Sequence, residues 1–322
     1  MIILANDGIS PEGKEKLSKA GFEVETDKVE QDQLIDYINE KEIVGICVRS
    51  ATTVRKDLID ACPSLKFIGR GGVGMDNIDV DYARSKGIHV QNTPAASSQS
   101  VAELVMGALF SISRFTYQAY HEMPEKGAEE FKKLKKKYAK GAELRGKTLA
   151  ILGFGRIGQA LASYALGCGM RVVALDRKTD ATDIPVFIEG HGEVLVPIRP
   201  TDNLDDILPV ADYISLHVPK QEDGQAVIDA AAIEKMKNDV FIVNAARGGT
   251  IDEDALIKGL DSGKIAACAL DVYENEPTPR KDLLTHPKIA NTPHIGAATT
   301  EAQARIGIEL ADHIIEQLKV NA

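Results

Sequence analysis

The sequence predicts an α/β protein of two lobes, each a parallel sheet flanked by helices, and three observations carry that prediction. Short apolar runs of strand length alternate with stretches whose apolar residues recur at helical spacing, the pattern of βαβ units. The alternation comes as two series, one over about the first hundred residues and one from Lys147 to about Asn291, with a helical and then a charged stretch between them. A chain of 322 residues, 44% of them apolar, is long enough to bury two ordinary cores.

In the first series the strands are "MIILA", "GFEVET", "IVGICV", "LKFIGR" and "IHVQN", and "MIILAND" reads as a buried strand ending at an Asn-Asp-Gly turn. Between them "PEGKEKLSKA", "QDQLIDYINE", "TTVRKDLIDACP" and "VDYARSKG" have helical spacing. From residue 100, "SVAELVMGALFSISRFTYQAYHEM" predicts one long apolar helix, with Ser100 and Glu103 placed as a capping box. The segment "EKGAEEFKKLKKKYAKGAELRGK" follows without a continuous apolar stripe. In the second series "VFIEGHGEVLVPI" predicts a hairpin turning at Gly190–Gly192, and a final amphipathic helix, "TTEAQARIGIELADHIIEQLKVNA", ends the sequence. The expected division is residues 1–99 with 293–322 as one lobe and residues 100–292 inserted as the other.

Composition excludes several classes. A net charge of −10 argues against a nucleic-acid partner engaged through overall charge. No run approaches the roughly 18 apolar residues of a membrane span, and the first residues lack a basic segment followed by a long apolar one. Cys47, Cys62, Cys168 and Cys268 form no Cys-x-x-Cys pair, so reduced packing cysteines in a cytoplasmic protein are expected, and no metal site.

The first motif with chemistry in it is "KTLAILGFGRIGQALASYALGCGMRVVALDR". Gly153, Gly155 and Gly158 stand in G-x-G-x-x-G order between a strand and a helix, and the next strand ends on Asp176. Gly153 allows a tight turn, Gly155 lets the backbone approach a pyrophosphate, and Gly158 lets helix and strand pack closely. The helix N-terminus offers N–H groups and positive potential. Asp176 is where a carboxylate accepts bonds from an adenosine ribose, which favours NAD over NADP, although the neighbouring Arg177 and Lys178 weaken the exclusion of an extra phosphate.

Three later stretches each end a strand with reactive residues: Arg247 in "VFIVNAARGGTIDEDAL", Asp271 and Glu276 in "AACALDVYENEP", and His294 in "NTPHIGA". Hydride transfer between a nicotinamide and a carbonyl carbon leaves charge on the oxygen, so it needs a proton donor nearby. A histidine does this near neutral pH, and a carboxylate beside it favours the protonated ring. An arginine holds an α-carboxylate through two parallel hydrogen bonds. Each residue alone also has a structural reading, as a surface ion pair, a solvated loop residue or a strand-end histidine; downstream of a complete dinucleotide fingerprint they are expected to act together.

With these motifs the sequence resembles the D-2-hydroxyacid dehydrogenase family over nearly its whole length, through "GRGGVGMDNID", "NTPAASSQSVAEL", "LGFGRIG", "VNAARGGTID", "ALDVYENEP" and "PHIGAAT". The resemblance implies a Rossmann-type coenzyme domain inserted into a flavodoxin-like substrate domain, NAD as cofactor and a homodimer. It implies that His294 is the acid/base, Glu276 its partner, and Arg247 the group on the substrate's carboxylate and carbonyl. It adds cofactor contacts from Arg156, Ile157, Asp176, His217, Ala245, Asp271 and Gly296, besides the glycines of the loop. Arg49 and Ser50 are expected to help hold the substrate, and the backbone of Gly72, Val73 and Gly74 to cradle its carboxylate. "CVRSATTVRKDLI" and "NTPAASSQSVAEL" are similar to the branch that oxidises D-3-phosphoglycerate to 3-phosphohydroxypyruvate, the first step of serine biosynthesis. The alternatives are a hydroxypyruvate/glyoxylate reductase of the same family and an NAD-sensing, co-repressor-like binding protein. As the sequence ends after the last helix, the small regulatory domain of longer members is expected to be missing. The segment 122–146 is longer than usual, and its Lys132, Lys133, Lys135, Lys136 and Lys137 are read as a solvated helix face or, alternatively, as an attractor for a substrate phosphate.

Overall fold

The computed structural model describes residues 1–221 and 223–319. They fall into two compact units, which meet the chain at Ser100/Val101 and at Gly296/Ala297.

The first unit is built from β1 (Ile2–Ala5), α1 (Pro11–Lys19), β2 (Glu23–Glu25), α2 (Leu34–Glu40), β3 (Gly45–Val48), α3 (Lys56–Ala61), β4 (Phe67–Arg70), α4 (Val80–Ser85) and β5 (His89–Asn92). Its five strands are parallel in the order β2-β1-β3-β4-β5, the doubly wound order named from flavodoxin. Parallel pairing needs a crossover after each strand, and both sheet faces are therefore covered. Leu34, Ile38, Leu58, Ile68 and Val90 pack in one apolar layer, and Leu17, Phe67, Ile306 and Leu310 in the other. The last two come from the chain's final helix, which returns against α1 so closely that a Cβ on Gly13 would lie 2.5 Å from the carbonyl oxygen of Gly307.

The second unit opens at Val101 inside α5 (Ser98–Arg114), which α6 (Thr116–Lys137) follows. Here the structure corrects two expectations. Helix α5 begins at Ser98, its entry set by a turn in which Ser98 N–H donates to Ala95 O at 3.3 Å, so Ser100 lies inside the helix and not at the N-cap where a capping box would need it. Glu103 instead accepts a hydrogen bond from Tyr164 Oη at 2.8 Å. The single long helix expected from residue 100 is broken at Phe115, whose φ of 55° is left-handed; the ring lies 6.4 Å from that of Tyr138, a contact that offsets the strain. The charged segment is helical to Lys137, with Pro124 inside it and non-helical dihedrals at Glu130.

After this pair come β6 (Thr148–Leu152), α7 (Arg156–Gly167), β7 (Arg171–Leu175), the hairpin β8 (Thr182–Ile188) and β9 (Gly192–Ile198), β10 (Tyr213–Leu216), α8 (Ala230–Lys235), β11 (Val240–Asn244), α9 (Glu253–Ser262), β12 (Ile265–Leu270), α10 (Lys281–Thr285) and β13 (Ile289–Asn291). Six strands form one parallel sheet in the order β13-β12-β11-β10-β6-β7. The chain winds one way from β6 to β7 and the other way from β10, so the order reverses between β6 and β10, where open α/β sheets leave a crevice at the carboxyl ends of their strands. The hairpin stands apart as a two-stranded antiparallel sheet, with Pro185 O accepting from Ser163 of α7. The final helix, α11 (Thr300–Lys319), belongs to the first unit.

Candidate active site

All five residues of β6 are buried, and the chain turns at Gly153, with φ 96°, into α7. A Cβ on Gly153 would lie 2.5 Å from His217 O, and one on Gly158 would overlap Gly153 O, so two of the three glycines are required by close packing. At Gly155 a Cβ would meet nothing within 4 Å: this side of the loop is open. Gly155 is the N-cap of α7, and no side chain caps that helix. Beside it, Asp176 accepts hydrogen bonds from Phe154 N–H at 2.8 Å and from Lys178 N–H at 3.0 Å. An open glycine backbone, an uncapped helix N-terminus and a carboxylate at the end of the next strand fit a dinucleotide. Gly155, Arg156 and Ile157 would face its pyrophosphate and Asp176 its ribose. His217 ends β10 against this loop; its Nε2 is 2.8 Å from Ser215 Oγ, and burial pushes the imidazole down to about 4, which keeps it neutral.

The second group of residues is brought together by backbone turns at neighbouring strand ends. The side chain of Asn244, the last residue of β11, accepts from Ala246 N–H at 3.0 Å and donates to Arg247 O at 3.1 Å, which folds the turn carrying Ala245 and Arg247. A Cβ on Gly248 would overlap the carbonyl of Tyr273, so this turn lies directly on the loop after β12. That loop is held by buried Glu253, the first residue of α9, whose carboxylate accepts Glu274 N–H at 3.0 Å. Tyr273 N–H in turn donates to Glu276 Oε1 at 2.9 Å, and Glu276 Oε2 lies 2.8 Å from His294 Nδ1.

His294 is held from its other side by Asp271, which is 4% exposed. One oxygen of Asp271 accepts Thr292 Oγ1–H at 2.7 Å and Ile295 N–H at 2.8 Å, and the other accepts Gly296 N–H at 2.9 Å. Between these anchors His294 has a φ of 54°, a left-handed conformation that a non-glycine residue keeps only when its surroundings impose it. Burial works to raise the Glu276 carboxyl, but the bonds from His294 and Tyr273 and the charges of His294 and Arg247 outweigh it, and the group lies below the usual glutamate range. A carboxylate paired to one nitrogen of an imidazole leaves the other for proton exchange, and a guanidinium whose charge reaches the pair can hold an anionic substrate. Arg247, Glu276 and His294 are therefore brought into one electrostatic group.

In the first unit, Arg49 and Ser50 follow β3, and Gly72, Val73 and Gly74 follow the adjacent β4. Val73 O accepts Asn92 Nδ2–H at 2.6 Å and Gly72 O accepts Thr93 N–H at 3.1 Å. Sequence reasoning missed Arg70, although it lies inside the "GRGGVG" motif. Its guanidinium donates to Gly71 O at 2.9 Å and fills the space that a Cβ on Gly72 would need, while Arg49 Cγ lies 3.6 Å from where a Cβ on Gly71 would be. The Arg70 guanidinium and the apolar stem of Arg49 thus lie against one glycine turn.

The lysine run is partly neutralised within its own helix, since Lys137 pairs with Glu122 at 2.9 Å and Lys133 with Glu130 at 3.0 Å. Cys47, Cys62 and Cys268 are buried, and burial pushes the Cys62 thiol up to about 11. Among the described residues, no cluster of three or more His, Cys, Asp and Glu side chains could hold a metal ion, and no helix is long and apolar enough to cross a membrane.

A doubly wound sheet with an open glycine turn at its switch point and a histidine–carboxylate pair within reach of an arginine's charge is the arrangement that nicotinamide-dependent dehydrogenase chemistry requires. Residues 106–296 match the family described as "D-isomer specific 2-hydroxyacid dehydrogenase, NAD binding domain", and the chain belongs to that family. It is 43% identical over 320 residues to a hydroxypyruvate reductase of Thermotoga maritima, covering 98% of this chain and 97% of that one. It is 39% identical over 318 residues to a D-3-phosphoglycerate dehydrogenase of Methanocaldococcus jannaschii, covering 98% of this chain but 57% of that one, so it spans little more than half the length of that relative. Among solved structures it is similar to a glyoxylate reductase from Paecilomyes thermophila, with a TM-score of 0.81 and 28% identity over 98% of this chain and 95% of that one. The protein is accordingly an NAD-dependent 2-hydroxyacid dehydrogenase at the level of its family.

Proposed function

We propose that the protein oxidises D-3-phosphoglycerate to 3-phosphohydroxypyruvate with NAD. The observation that carries the chemistry is the His294–Glu276 pair at 2.8 Å, with the charge of Arg247 acting on it. NAD, when bound, supplies the hydride acceptor. Nδ1 of His294 is committed to Glu276, so the hydroxyl proton passes to Nε2 as the C2–H bond is broken, and Nε2 returns it to the carbonyl oxygen in the reverse direction. Arg247 holds the substrate's α-carboxylate and carbonyl oxygen, fixing which face of C2 is presented. Glu276 keeps the imidazolium favourable and Asp271 holds the backbone on which His294 stands. Gly153, Gly155, Arg156, Ile157, Gly158, Asp176, His217, Ala245, Asp271 and Gly296 are the proposed cofactor contacts, and Arg49, Ser50, Gly72, Val73 and Gly74 those of the substrate.

The phosphorylated substrate is supported by the 39% identity to the D-3-phosphoglycerate dehydrogenase of Methanocaldococcus jannaschii. A second reading, a hydroxypyruvate reductase, is favoured by the 43% identity that extends over 97% of the Thermotoga relative. Oxidation of NADH by purified protein with 3-phosphohydroxypyruvate, hydroxypyruvate, glyoxylate and pyruvate separates the two. A kcat/KM at least about tenfold higher for the phosphorylated compound, roughly 1.4 kcal/mol of transition-state preference, is expected. A preference for hydroxypyruvate or glyoxylate keeps the mechanism and transfers the assignment to the second reading. Binding of NADH without turnover of any 2-oxo acid would favour a binding protein.

A homodimer is part of this proposal. Phe110 on α5 and Tyr120, Met123 and Phe131 on α6 are exposed, an apolar surface suited to a second copy. Light scattering of the purified protein is expected to give twice the chain mass. A cytoplasmic location is likewise proposed, from the reduced-cysteine reading.

A further inference from the structure

Strand β1 runs into the turn Asn6-Asp7-Gly8. In the parallel register Ala5 lies opposite Cys47, and Asn6 N–H continues the ladder to Cys47 O at 3.0 Å. Asp7 therefore emerges beside the start of the segment 49–52. Its carboxylate is 5% exposed and receives four hydrogen bonds, two on each oxygen. Oδ2 accepts Arg49 N–H at 2.6 Å and Thr52 N–H at 3.1 Å, while Oδ1 accepts Thr52 Oγ1–H at 2.7 Å and Lys28 Nζ at 2.6 Å. The carbonyls of the same segment are gripped from the opposite direction: Asn77 Nδ2 donates to Arg49 O and to Thr52 O, both at 2.6 Å. The Thr52 hydroxyl completes its own capacity by accepting from Asn6 Nδ2 at 2.9 Å and Lys28 Nζ at 2.8 Å.

We propose that Asp7 is a positioning residue for substrate binding, acting through Arg49, and that Asn77 is its counterpart on the carbonyl side of the same segment. The proposal rests on the reading that Arg49 contacts the substrate. A segment whose N–H groups at both ends go to one buried carboxylate and whose carbonyls go to one amide has its backbone fixed before any ligand arrives. The entropy of ordering Arg49's backbone is then spent in folding rather than in binding, which is how preorganisation raises affinity. The Asp7 charge also works against the burial that lowers the Arg49 guanidinium. Every partner of Asp7 is a donor, so an asparagine in its place would turn an NH2 toward at least one N–H or ammonium whichever way it was oriented.

The test is Asp7→Asn, assayed with NADH and 3-phosphohydroxypyruvate, or with hydroxypyruvate if that is the compound turned over. KM for the oxo acid is expected to rise on the order of tenfold while kcat stays within about threefold and KM for NADH is unchanged. The decisive arm is the double variant: in an Arg49→Ala background, Asp7→Asn is expected to add less than about twofold. An unchanged KM in the single variant, or an equal rise in both backgrounds, overturns the proposal while leaving Arg49 in place. If Arg49→Ala alone does not raise KM, the substrate reading of Arg49 has failed and this proposal falls with it. Should Asp7→Asn not fold, Thr52→Val and Thr52→Ser decide: the first removes the hydroxyl and is expected to raise KM about fivefold, and the second keeps it and is expected to leave KM alone. Equal KM values for these two variants overturn the proposal.

Discussion

His294 Nδ1 lies 2.8 Å from Oε2 of Glu276, and the same glutamate's Oε1 is fixed by the backbone N–H of Tyr273 at 2.9 Å. The carboxylate is thus anchored to the main chain before it meets the imidazole. Only one of its oxygens is left to follow the ring's change of charge.

Glu276→Gln removes the negative charge, and with Tyr273 N–H on its amide oxygen it turns an NH2 toward His294 Nδ1, which can no longer donate there. Reduction of a 2-oxo acid, which draws on a protonated ring facing that charge, should lose on the order of tenfold or more in kcat/KM. Steady-state kinetics of the variant check this; an undiminished kcat/KM would break the assignment of roles.

Asp271→Asn is expected to act on the same histidine from the other side. All three groups bonded to Asp271 (Thr292 Oγ1–H, Ile295 N–H and Gly296 N–H) are donors, and an amide nitrogen cannot accept from them. Leaving one of these groups unpaired costs about 1–3 kcal/mol and releases the left-handed backbone at His294, so kcat should fall on the order of tenfold together with a lower melting temperature. An unchanged kcat would show that the clamp is not needed to place the imidazole.

The glycines of the nucleotide loop predict opposite outcomes for one substitution. Gly158→Ala puts a methyl on the Gly153 carbonyl and should destabilise the fold by a few kcal/mol, on the order of other overpacked cores. Gly155→Ala has open space and should fold normally, yet it should weaken NADH binding on the order of tenfold, because the methyl occupies the approach of the dinucleotide. Thermal melts with and without NADH separate the two effects. A Gly155→Ala protein with undiminished affinity would remove the pyrophosphate from this loop.

The His217 imidazole is pushed down by burial from 6.5 to about 4. Between those values the unfolded chain takes up a proton that the folded chain does not. The stability it contributes is therefore complete above about pH 6.5 and is lost progressively as pH falls toward about 4. Melting temperatures compared across that window are expected to fall more steeply for the native protein than for His217→Asn. Parallel curves would mean that His217 is protonated without cost in the folded state.

Much of this protein is set by local sequence. The alternation of apolar runs with helical spacing determined two parallel sheets, because strands buried on both faces must be nearly all apolar and their crossovers must be amphipathic. The order Gly153, Gly155, Gly158 and the acid at Asp176 determined a tight strand–turn–helix loop with one open glycine, since each position answers to one local demand of turn, approach or packing. Arg247, Glu276 and His294 could be singled out as chemistry-capable residues at strand ends. Tertiary structure alone decided the remainder. The break at Phe115 and the start of α5 at Ser98 depend on packing and turn geometry that override the helical pattern of "SVAELVMGALFSISRFTYQAYHEM". The Glu276–His294 distance depends on Glu253, Tyr273 and Asp271, and the placement of Arg49 depends on Asp7 and Asn77, residues up to 42 positions away along the chain. A carboxylate that grips backbone N–H groups leaves no periodicity and no motif in the sequence, because its partners are main-chain atoms that every residue except proline carries. Which main-chain atoms it meets is settled only when parallel strands come into register.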